Sequence, residues 1–491
     1  MLSQLPIDTF PAWAHLNDIR FSHVKLQDVG DGKGLGLVAE EDLHCAESDG
    51  ASEHVVKIPH DLVLSAEAVD DFAKVDQNFK QLLDAVGRQS TRHRIMLYLV
   101  SHLAQASHPK GGLSPTPWTE YTRLLPRAVP VPTMWTEPER LLLIGTSLEA
   151  ALEAKLLSLS DEFDALRDVS EHLPFWNDFL WSREGVCLQD WALVDAWYRS
   201  RCLELPRSGT AMVPAIDMVN HSTTATAYYE EDDNGNVVLL IRPRCQVRSG
   251  EEVTISYGDA KPASETLFSY GFIDPKNIVH KLTLRLDPFP DDPLAKAKLR
   301  IFSAVPTLTI SRKDGQVALE ASSVAWHSPF VYLMCLNEED GLSFRLLQDT
   351  AGDRQLRLLW QGEDVTDQAG DFETLIRGHH LCPVFQLRAI TVLHEKVGEQ
   401  WKRITHGPSD HQPEPLEAAG LQRAERMAAA RILKDVESEL LANALEALND
   451  EMTNLLADDH VVAYLGSKED FPIEQEEQAT TATNDDADDF S

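Results

Sequence analysis

The order of strand-rich and helix-rich segments constrains the fold of this chain more than any other feature. Residues 21–65 alternate apolar and polar side chains around Gly-rich turns, which predicts short strands. Apolar side chains then recur at helical spacing from Ala66 to about Arg201. Strand patterns return from Met212 to Tyr257. This order predicts a β domain that is interrupted by a long helical insertion.

Two or three domains are expected, because 491 residues exceed what one hydrophobic core normally holds. The pattern after Asp287 is mainly helical, and its last strong apolar repeat runs from Leu421 to Leu456. The final residues are acidic and lack apolar periodicity, which is typical of disorder. We therefore predict an α+β fold made of a β domain over 1–290 with a helical insertion at about 66–200, a mainly helical C-terminal domain over 291–475, and a disordered acidic tail over 476–491.

Composition limits which partners the protein can bind and which cellular compartment it can occupy. The formal net charge of −35 argues against non-specific binding to nucleic acid and suits a basic protein partner. Six cysteines without a C-x-x-C pair indicate a reducing compartment. The first residues lack the pattern of a signal peptide, and no run of 18 apolar residues occurs. We expect a cytoplasmic or nuclear protein that does not bind a membrane.

Two local patterns predict a chain reversal and a helix break. The sequence AYYEEDDNGNVVLLIRP predicts a β-hairpin with Asn234 and Gly235 in a type I′ turn. A Pro-rich stretch at 114–132 interrupts the helical segment.

An adjacent Asn and His are the first candidate ligands. Asn220 and His221 lie in the sequence AIDMVNHS, directly after an apolar, strand-like run from Ala211 to Val219. Such a pair can mark a strand end and turn, where Asn and Ser bond locally, or it can hold a polar ligand.

Two other patterns, a Gly-rich sequence and a set of histidines, suggest nucleotide and metal binding, but the spacing of their residues supports neither. The sequence GDGKGLGL at 30–37 fails the spacing of a P-loop and of G-x-G-x-x-G. Its alternating glycines at the start of a strand fit either a tight turn or a backbone that is open to a ligand. The histidines His379, His380, His406 and His411 have no carboxylate or Cys at ligand spacing, so we expect no metal site.

The motifs indicate one protein family more specifically in combination than each does alone, because they follow one another in a fixed order. A Gly-rich strand start, the Asn-His pair, GEEVTISYG ending in Tyr257, and FSYGFI follow one another, and Tyr257 lies 37 residues after Asn220 (257 − 220). Together with IPHDLVLS, these blocks resemble the SET-domain protein methyltransferases. The chain is most similar to the subgroup of the Rubisco large-subunit lysine methyltransferase and its relatives that act on ribosomal proteins, elongation factors and actin. A helical insertion and a helical C-terminal domain also resemble this subgroup.

The resemblance implies S-adenosyl-L-methionine as the cofactor and assigns roles to particular residues. The implied cofactor-binding residues are Lys33, Gly34, Leu35, Arg201, Asn220, His221 and Tyr257. Lys33 departs from the acidic residue of the plant enzyme, but a backbone contact tolerates the change. Tyr257 resembles the active-site tyrosine, and the implied substrate-binding residues are Asp217, Tyr270 and Phe272.

The chemistry of lysine methylation fits such a site. A lysine has a reference pKa near 10.4, so its deprotonation costs ~4–5 kcal/mol at pH 7. An apolar channel beside a cationic sulfonium lowers that pKa. A tyrosine hydroxyl can orient the amine, and aromatic rings can stabilise a cation, so Tyr257 need not act as a base.

Three functions remain open at this point. The resemblance implies a protein-lysine methyltransferase, but a protein-histidine methyltransferase and a non-catalytic SET-fold scaffold are alternatives. The intact Asn220, His221 and Tyr257 argue against the scaffold. We expect a monomer. Its C-terminal domain, beyond about residue 290, is expected to bind a basic, folded, non-histone protein of the ribosome or translation machinery, because the subgroup has non-histone substrates, the net charge is −35, and the Cys-rich zinc segment of histone-modifying relatives is absent from the sequence.

Overall fold

A computed structural model describes most of the chain, namely residues 4–30, 33–44, 54–87, 90–105, 112–181, 185–258, 260–276, 278–313, 323–348, 354–406 and 421–469. The predicted tail at 476–491, Cys45, Gly32 and His411 lie outside the described residues. The chain divides into two compact units. The first comprises Met1–Leu282 and Gln400–Leu440, and the second comprises Thr283–Glu399 and Leu441–Ser491.

The described strands of the first unit are short. They are β1 (Arg20–Phe21), β2 (Val24–Asp28), β3 (Leu35–Ala39), β4 (Leu43–His44), β5 (His54–Ile58), β6 (Cys202–Leu205), β7 (Gly209–Met212), β8 (Ala227–Glu231), β9 (Val237–Ile241), β10 (Gln246–Val247) and β11 (Glu252–Val253). The small sheets have the orders β1-β5-β9-β8, β11-β3-β2, β10-β4 and β6-β7. Strands from before and after the helical segment pair directly, as β5 with β9 and β3 with β11. The predicted interruption of a β domain by helices is thus present.

The helices of the first unit lie mainly between β5 and β6. They are α1 (Phe10–Leu16), α2 (Ala66–Val75), α3 (Gln77–Val86), α4 (Thr91–Gln105), α5 (Pro117–Leu124), α6 (Glu137–Arg140), α7 (Leu148–Ser170), α8 (Pro174–Trp181), α9 (Leu188–Arg201) and α10 (Ala263–Tyr270). Ser65 caps α2 by accepting a hydrogen bond from the backbone of Ala68. The Pro-rich stretch contains α5. Pro117 does not prevent this helix, because it stands in the first turn, where a backbone N–H has no partner within the helix.

One hydrophobic core joins the insertion to the strands. Leu37 and Ile58 of the strands, Leu97 and Trp197 of the helices, and Ile216 belong to the same buried cluster. Burial of each such side chain stabilises the fold by about 1.5–3 kcal/mol.

Two local predictions need correction. The sequence AIDMVNHS does not end a strand, because β7 stops at Met212 and Ile216–Met218 form a 3-10 helix. Ala215, just before it, has φ 71°, and this left-handed residue breaks the extended run. The β8–β9 hairpin forms as predicted, but its turn is not type I′, which would need positive φ at two successive residues.

The Asp232 side chain explains the shape of that turn. Gly235 has φ 77°, and Asn234 is not among the residues with positive φ. Asp232 Oδ1 accepts hydrogen bonds from the backbone amides of Asn234 and Asn236, each at 2.9 Å. An Asp at the first turn position therefore sets a wider loop.

The second unit contains both sheets and helices. Its strands are β12 (Lys281–Arg285, beginning in the first unit), β13 (Thr307–Arg312), β14 (Val324–His327), β15 (Leu342–Gln348), β16 (Arg354–Trp360) and β17 (Glu363–Asp364). They form two three-stranded sheets, β12-β13-β14 and β15-β16-β17, which the helical pattern of the sequence did not predict.

Six further α-helices are described after residue 290. They are α11 (Ala295–Phe302), α12 (Val331–Cys335), α13 (Phe372–Leu375), α14 (Cys382–His406), α15 (Leu421–Leu456) and α16 (Asp459–Glu469). The apolar repeat from Leu421 to Leu456 coincides with α15, as predicted. Within the described ranges, no helix has both the length and the apolar character needed to cross a membrane.

Residues 400–440 complete the first unit through apolar and polar contacts. Ala430 and Leu433 of α15 pack in one buried cluster with Trp135 and Leu143. Glu437, which is 3% exposed, accepts hydrogen bonds from the Ser147 hydroxyl at 2.5 Å and the Ser147 amide at 2.8 Å. Arg426 forms an ion pair with Glu139 at 2.7 Å. These contacts bind this part of α15 to the helices of the insertion.

Candidate functional site

The Gly-rich start of β3 brings backbone and polar side chains together. Gly34 has φ 74°, and its carbonyl accepts a hydrogen bond from the Val29 amide at 2.9 Å. Gly36 follows within β3. A Cβ atom at Gly36 would lie 2.6 Å from Glu252 Oε1 and 2.9 Å from Asn220 Nδ2. The absence of a side chain at Gly36 therefore lets Glu252 and Asn220 approach the strand.

Asn220 is held by two strands. Its Nδ2 donates to the Leu35 carbonyl at 3.0 Å and to Glu252 Oε1 at 2.7 Å. The backbone carbonyl of Asn220 accepts a hydrogen bond from the Ile255 amide at 3.0 Å. Lys33 Nζ lies 3.3 Å from Glu252 Oε2. The structure thus brings together three predicted cofactor-binding residues: Asn220 bonds Leu35 directly, and Glu252 links Asn220 to Lys33.

An aromatic cluster forms the second part of the site. The ring of Tyr257 lies 5.2 Å from that of His221 and 4.7 Å from that of Tyr270, measured between centroids. Phe272 lies 6.1 Å from His221 and 6.5 Å from Tyr257. All four residues were predicted site residues, and the structure places them together.

Backbone hydrogen bonds fix this cluster. The Tyr257 amide donates to His221 Nδ1 at 3.1 Å, and the Tyr257 hydroxyl donates to the Val219 carbonyl at 2.8 Å. The Tyr270 hydroxyl donates to the Tyr257 carbonyl at 3.3 Å. His221 also forms a parallel β-bridge with Ile255.

The Tyr257 hydroxyl is a hydrogen-bonding group rather than a base. Burial raises its pKa well above the usual range, and the positive charge of Arg201 only partly opposes this shift. The phenol therefore keeps its proton at neutral pH. Because that proton is donated to Val219, the oxygen lone pairs are left as acceptors.

The cluster lines a narrow cavity of about 50 Å³. Its walls include His221, Tyr257, Lys261, Tyr270, Phe272 and Asp274. A second recess, of about 260 Å³, is lined by Tyr228, Tyr229, Arg242, Ile255 and Ser256. The segment from Ile255 to Tyr257 therefore contributes side chains to both cavities.

Asp217 takes a different position from the one predicted. Its side chain has no exposed area and does not line the aromatic cavity. It accepts a hydrogen bond from the Tyr121 hydroxyl at 2.6 Å, and its Oδ2 lies 3.5 Å from Arg201 Nη1. Burial raises the pKa of the Asp217 carboxyl, while Arg201 and the Tyr121 hydroxyl oppose the shift. Asp217 anchors the 3-10 helix before Asn220.

Arg201 belongs to the same anchor. Its Nη1 donates to the Asp217 carbonyl at 2.9 Å, and its side chain is 19% exposed. In this structure Arg201 therefore supports the turn that carries Asn220 and His221 and does not line the cavity.

Sequence reasoning missed Glu252, Tyr121 and Lys261. Glu252 stands in GEEVTISYG, where the alternation with Val253 and Ile255 would have placed it on the opposite face of the strand. Tyr121 gave no signal, because it lies 96 residues from Asp217. Among the residues with described positions, no three His, Cys, Asp or Glu side chains are grouped as metal ligands.

Comparison with known proteins places this geometry in context. No protein-family model matches the sequence. The chain is 25% identical over 424 residues to SET domain-containing protein 8 of Schizosaccharomyces pombe, an alignment that covers 84% of this chain and 89% of that protein.

Two chloroplast proteins are also similar. The chain is 24% identical over 320 residues to the Rubisco large subunit N-methyltransferase of Pisum sativum. It is 25% identical over 315 residues to the fructose-bisphosphate aldolase-lysine N-methyltransferase of Arabidopsis thaliana. Both alignments cover 60% of this chain and 58% of the relative.

Solved structures show the same architecture. The SET domain of LSMT bound to lysine and AdoHcy superposes with a TM-score of 0.63 at 19% identity, covering 91% of this chain and 92% of that one. Rubisco LSMT bound to AdoMet superposes with a TM-score of 0.62 at 19% identity, covering 92% and 93%. The chain has the fold of these structures, which confirms the predicted fold class.

Proposed function

We propose that this chain transfers a methyl group from S-adenosyl-L-methionine to a lysine side chain of a protein, as a SET-domain enzyme of the kind that it is similar to in sequence and in fold. One observation carries the proposal. Asn220 bonds the Leu35 carbonyl, while its neighbour His221 lines a narrow cavity together with Tyr257, Tyr270 and Phe272.

The chain's residues suit this cofactor. Leu35 and Asn220 bring polar groups to the start of β3, where they bond each other, and His221, which follows Asn220 in the chain, and Phe272 present flat aromatic faces. Bound there, S-adenosyl-L-methionine supplies an electrophilic methyl group on a cationic sulfur. Aromatic faces near a cation stabilise its charge by about 0.5–2 kcal/mol. The Lys33 side chain pairs with Glu252 and its backbone amide donates to the Gly30 carbonyl at 3.0 Å, so the backbone contact that the resemblance implies falls to the Lys33 carbonyl.

The aromatic cavity suits a deprotonated amine. A narrow, mainly apolar space disfavours the ammonium form of a lysine and lowers its pKa. Tyr257 then orients the amine, since its hydroxyl oxygen retains lone pairs while its proton is donated to Val219. Positioning of this kind accounts for most of the acceleration in a displacement reaction.

The substrate we propose is a basic, folded, non-histone protein of the ribosome or translation machinery. The two chloroplast relatives are named for action on the Rubisco large subunit and on aldolase, neither of which is a histone. The net charge of −35 favours a basic partner over nucleic acid. A cytoplasmic or nuclear monomer is the form we propose for this activity.

A labelling experiment tests the reaction. The chain is incubated with radiolabelled S-adenosyl-L-methionine and a cell extract, with Tyr257→Phe as the matched control, and the labelled residue is located by mass spectrometry. We expect label on a lysine of a basic protein. Label on a histidine would establish the histidine alternative instead. Binding of S-adenosylhomocysteine by calorimetry without any transfer would indicate a scaffold, and the absence of binding would refute the proposal.

A salt series tests the substrate class. If charge steers the partner, methylation should weaken as ionic strength rises from about 50 to about 300 mM, because interactions between exposed charges are screened beyond about 8–10 Å at physiological salt. Activity that is indifferent to salt would argue against a basic partner.

A further inference from the structure

Helix α9 of the insertion directs two arginines at two different parts of the proposed site. Arg201 reaches the turn before Asn220, as described above. Arg199, two residues earlier, reaches the end of α10, which leads into Tyr270 and Phe272. We infer that Arg199 is a positioning residue that fixes the aromatic wall formed by Tyr270 and Phe272. This inference rests on the proposed function for its catalytic consequence, but its structural part can be tested separately.

Arg199 makes a complete set of contacts at the end of α10. Its Nη1 donates a short hydrogen bond to the Phe268 carbonyl, and its guanidinium lies 4.7 Å from the centroid of the Phe268 ring. Its Nη2 donates to Thr133 Oγ1 at 2.6 Å. The side chain is only 11% exposed, so solvent screens these contacts weakly.

The last turn of α10 needs such a partner. The final carbonyls of a helix lack intrahelical donors and carry partial negative charge. Arg199 supplies both a donor and a positive charge to one of them, the carbonyl of Phe268. The donors of a guanidinium are fixed in a planar fork that reaches Phe268 and Thr133 at the same time, and the single nitrogen of a lysine does not reproduce this spacing.

The chain after Phe268 has little freedom once this turn is fixed. Gly271 ends α10 with φ 84°, and a Cβ there would lie 2.6 Å from the Pro130 carbonyl carbon. Its amide donates to the Leu267 carbonyl at 3.0 Å. The Tyr270 hydroxyl reaches the Tyr257 carbonyl. A shift of the Phe268 turn is therefore transmitted to Tyr270.

Arg199 is itself fixed at its other side by a buried carboxylate. Asp195 has no exposed side-chain area and accepts from Arg199 at 2.8 Å, from Arg92 at 2.6 Å and from Lys155 at 2.8 Å. Arg92 and Lys155 come from α4 and α7. The helical insertion thus holds the aromatic wall through the path Asp195, Arg199, Phe268.

Arg92 provides a matched control. It contacts the same Asp195 and also pairs with Glu162 at 2.9 Å, and its hydrogen bonds and ion pairs are to carboxylates of the insertion, not to α10. Loss of Arg92 disturbs the buried charge cluster but removes no bond to the aromatic wall. A merely structural role for Arg199 predicts that both variants behave alike.

The test compares Arg199→Met, Arg199→Lys and Arg92→Met with the wild type by hydrogen exchange of residues 263–272, by S-adenosylhomocysteine binding and by methyl transfer. We expect Arg199→Met to exchange faster at Leu267–Phe272 than Arg92→Met does. Its kcat should fall roughly tenfold or more, since misplacement near 1 Å can cost about 100-fold. Arg199→Lys should lie between the wild type and Arg199→Met in both respects.

The hydrogen exchange rates test the positioning role of Arg199 independently of methyl transfer. Equal exchange at 263–272 in Arg199→Met and Arg92→Met, or unchanged exchange in Arg199→Met, would overturn it. If Arg199→Met does not fold, Arg199→Lys against Arg92→Met gives the same comparison, with faster exchange in the lysine variant expected. A wild-type protein that transfers no methyl group would refute the proposed function. The exchange measurements would still test whether Arg199 positions the aromatic wall.

Discussion

The backbone amide of Tyr257 donates a hydrogen bond to Nδ1 of His221 over 3.1 Å. Nδ1 therefore carries a lone pair, and the neutral imidazole keeps its proton on Nε2. The same bond fixes the ring of His221 at 5.2 Å from the ring of Tyr257. The proposed cofactor-binding residue and the proposed active-site residue are thus oriented by each other.

Tyr257→Phe should fold and bind S-adenosylhomocysteine with nearly wild-type affinity but lose most turnover. The phenolic oxygen is proposed to act in the transition state, so its loss should reduce kcat rather than binding. The Val219 carbonyl also loses a donor, which should cost about 1 kcal/mol of stability. Steady-state kinetics and calorimetry measure both effects. Wild-type turnover in this variant would exclude Tyr257 from the mechanism.

Asn220→Ala should weaken S-adenosylhomocysteine binding by ~1–3 kcal/mol, because its amide joins the Leu35 carbonyl to Glu252. Glu252→Gln is a useful comparison, since it keeps an acceptor for Asn220 while removing the charge that pairs with Lys33. Calorimetry gives the affinities, and thermal melts with and without the ligand separate folding from binding. An unchanged dissociation constant in Asn220→Ala would contradict the assignment.

Asp217→Ala should destabilise the fold by about 3 kcal/mol. The change removes the acceptor of the buried Tyr121 hydroxyl and the carboxylate beside Arg201, and an unpaired buried charge is costly. Asp217→Asn, which retains an acceptor, should cost less. Urea denaturation measures both. Equal stability of Asp217→Ala and the wild type would show that the anchor is unimportant.

Glu437 should make stability depend on pH. Burial raises the pKa of this carboxyl from 4.5 to about 7, although the Ser147 hydrogen bonds oppose the shift. The folded state therefore holds more protons than the unfolded state between these values. The free energy of unfolding should fall as pH rises through this interval, by up to about 3 kcal/mol, with the loss complete above pH 7.

Glu437→Gln should remove this slope. Chemical denaturation at several values of pH between about 4.5 and 8 measures the difference from the wild type. Glu446→Gln, at an exposed position of the same helix, serves as the control and should keep the wild-type slope. Parallel pH dependence in all three proteins would refute the role of Glu437.

The sequence predicted what depends on local patterns. Apolar periodicity located α15 from Leu421 to Leu456, and alternation located the strands on both sides of the insertion. Motif order predicted that His221, Tyr257, Tyr270 and Phe272 belong to one site, and the structure places them together. Their roles in catalysis stay predictions.

Features that depend on distant contacts could not be predicted in this way. Asp217 is buried because Tyr121 and Arg201 reach it from other helices. The left-handed Ala215 turns a strand-like run into a 3-10 helix, and no residue type signals this, since Ala rarely adopts positive φ. Arg199 and Phe268 are separated by 69 residues.

The contribution of residues 400–440 to the first unit has a consequence for protein synthesis. A chain leaves the ribosome from its N-terminus, and domains fold as their residues emerge. Ser147 is made 290 residues before its partner Glu437. The apolar surface of Trp135 and Leu143 must likewise await Leu433. The first unit is therefore begun early and completed late, and throughout that interval the nascent chain carries an uncovered apolar patch of the kind that chaperones bind.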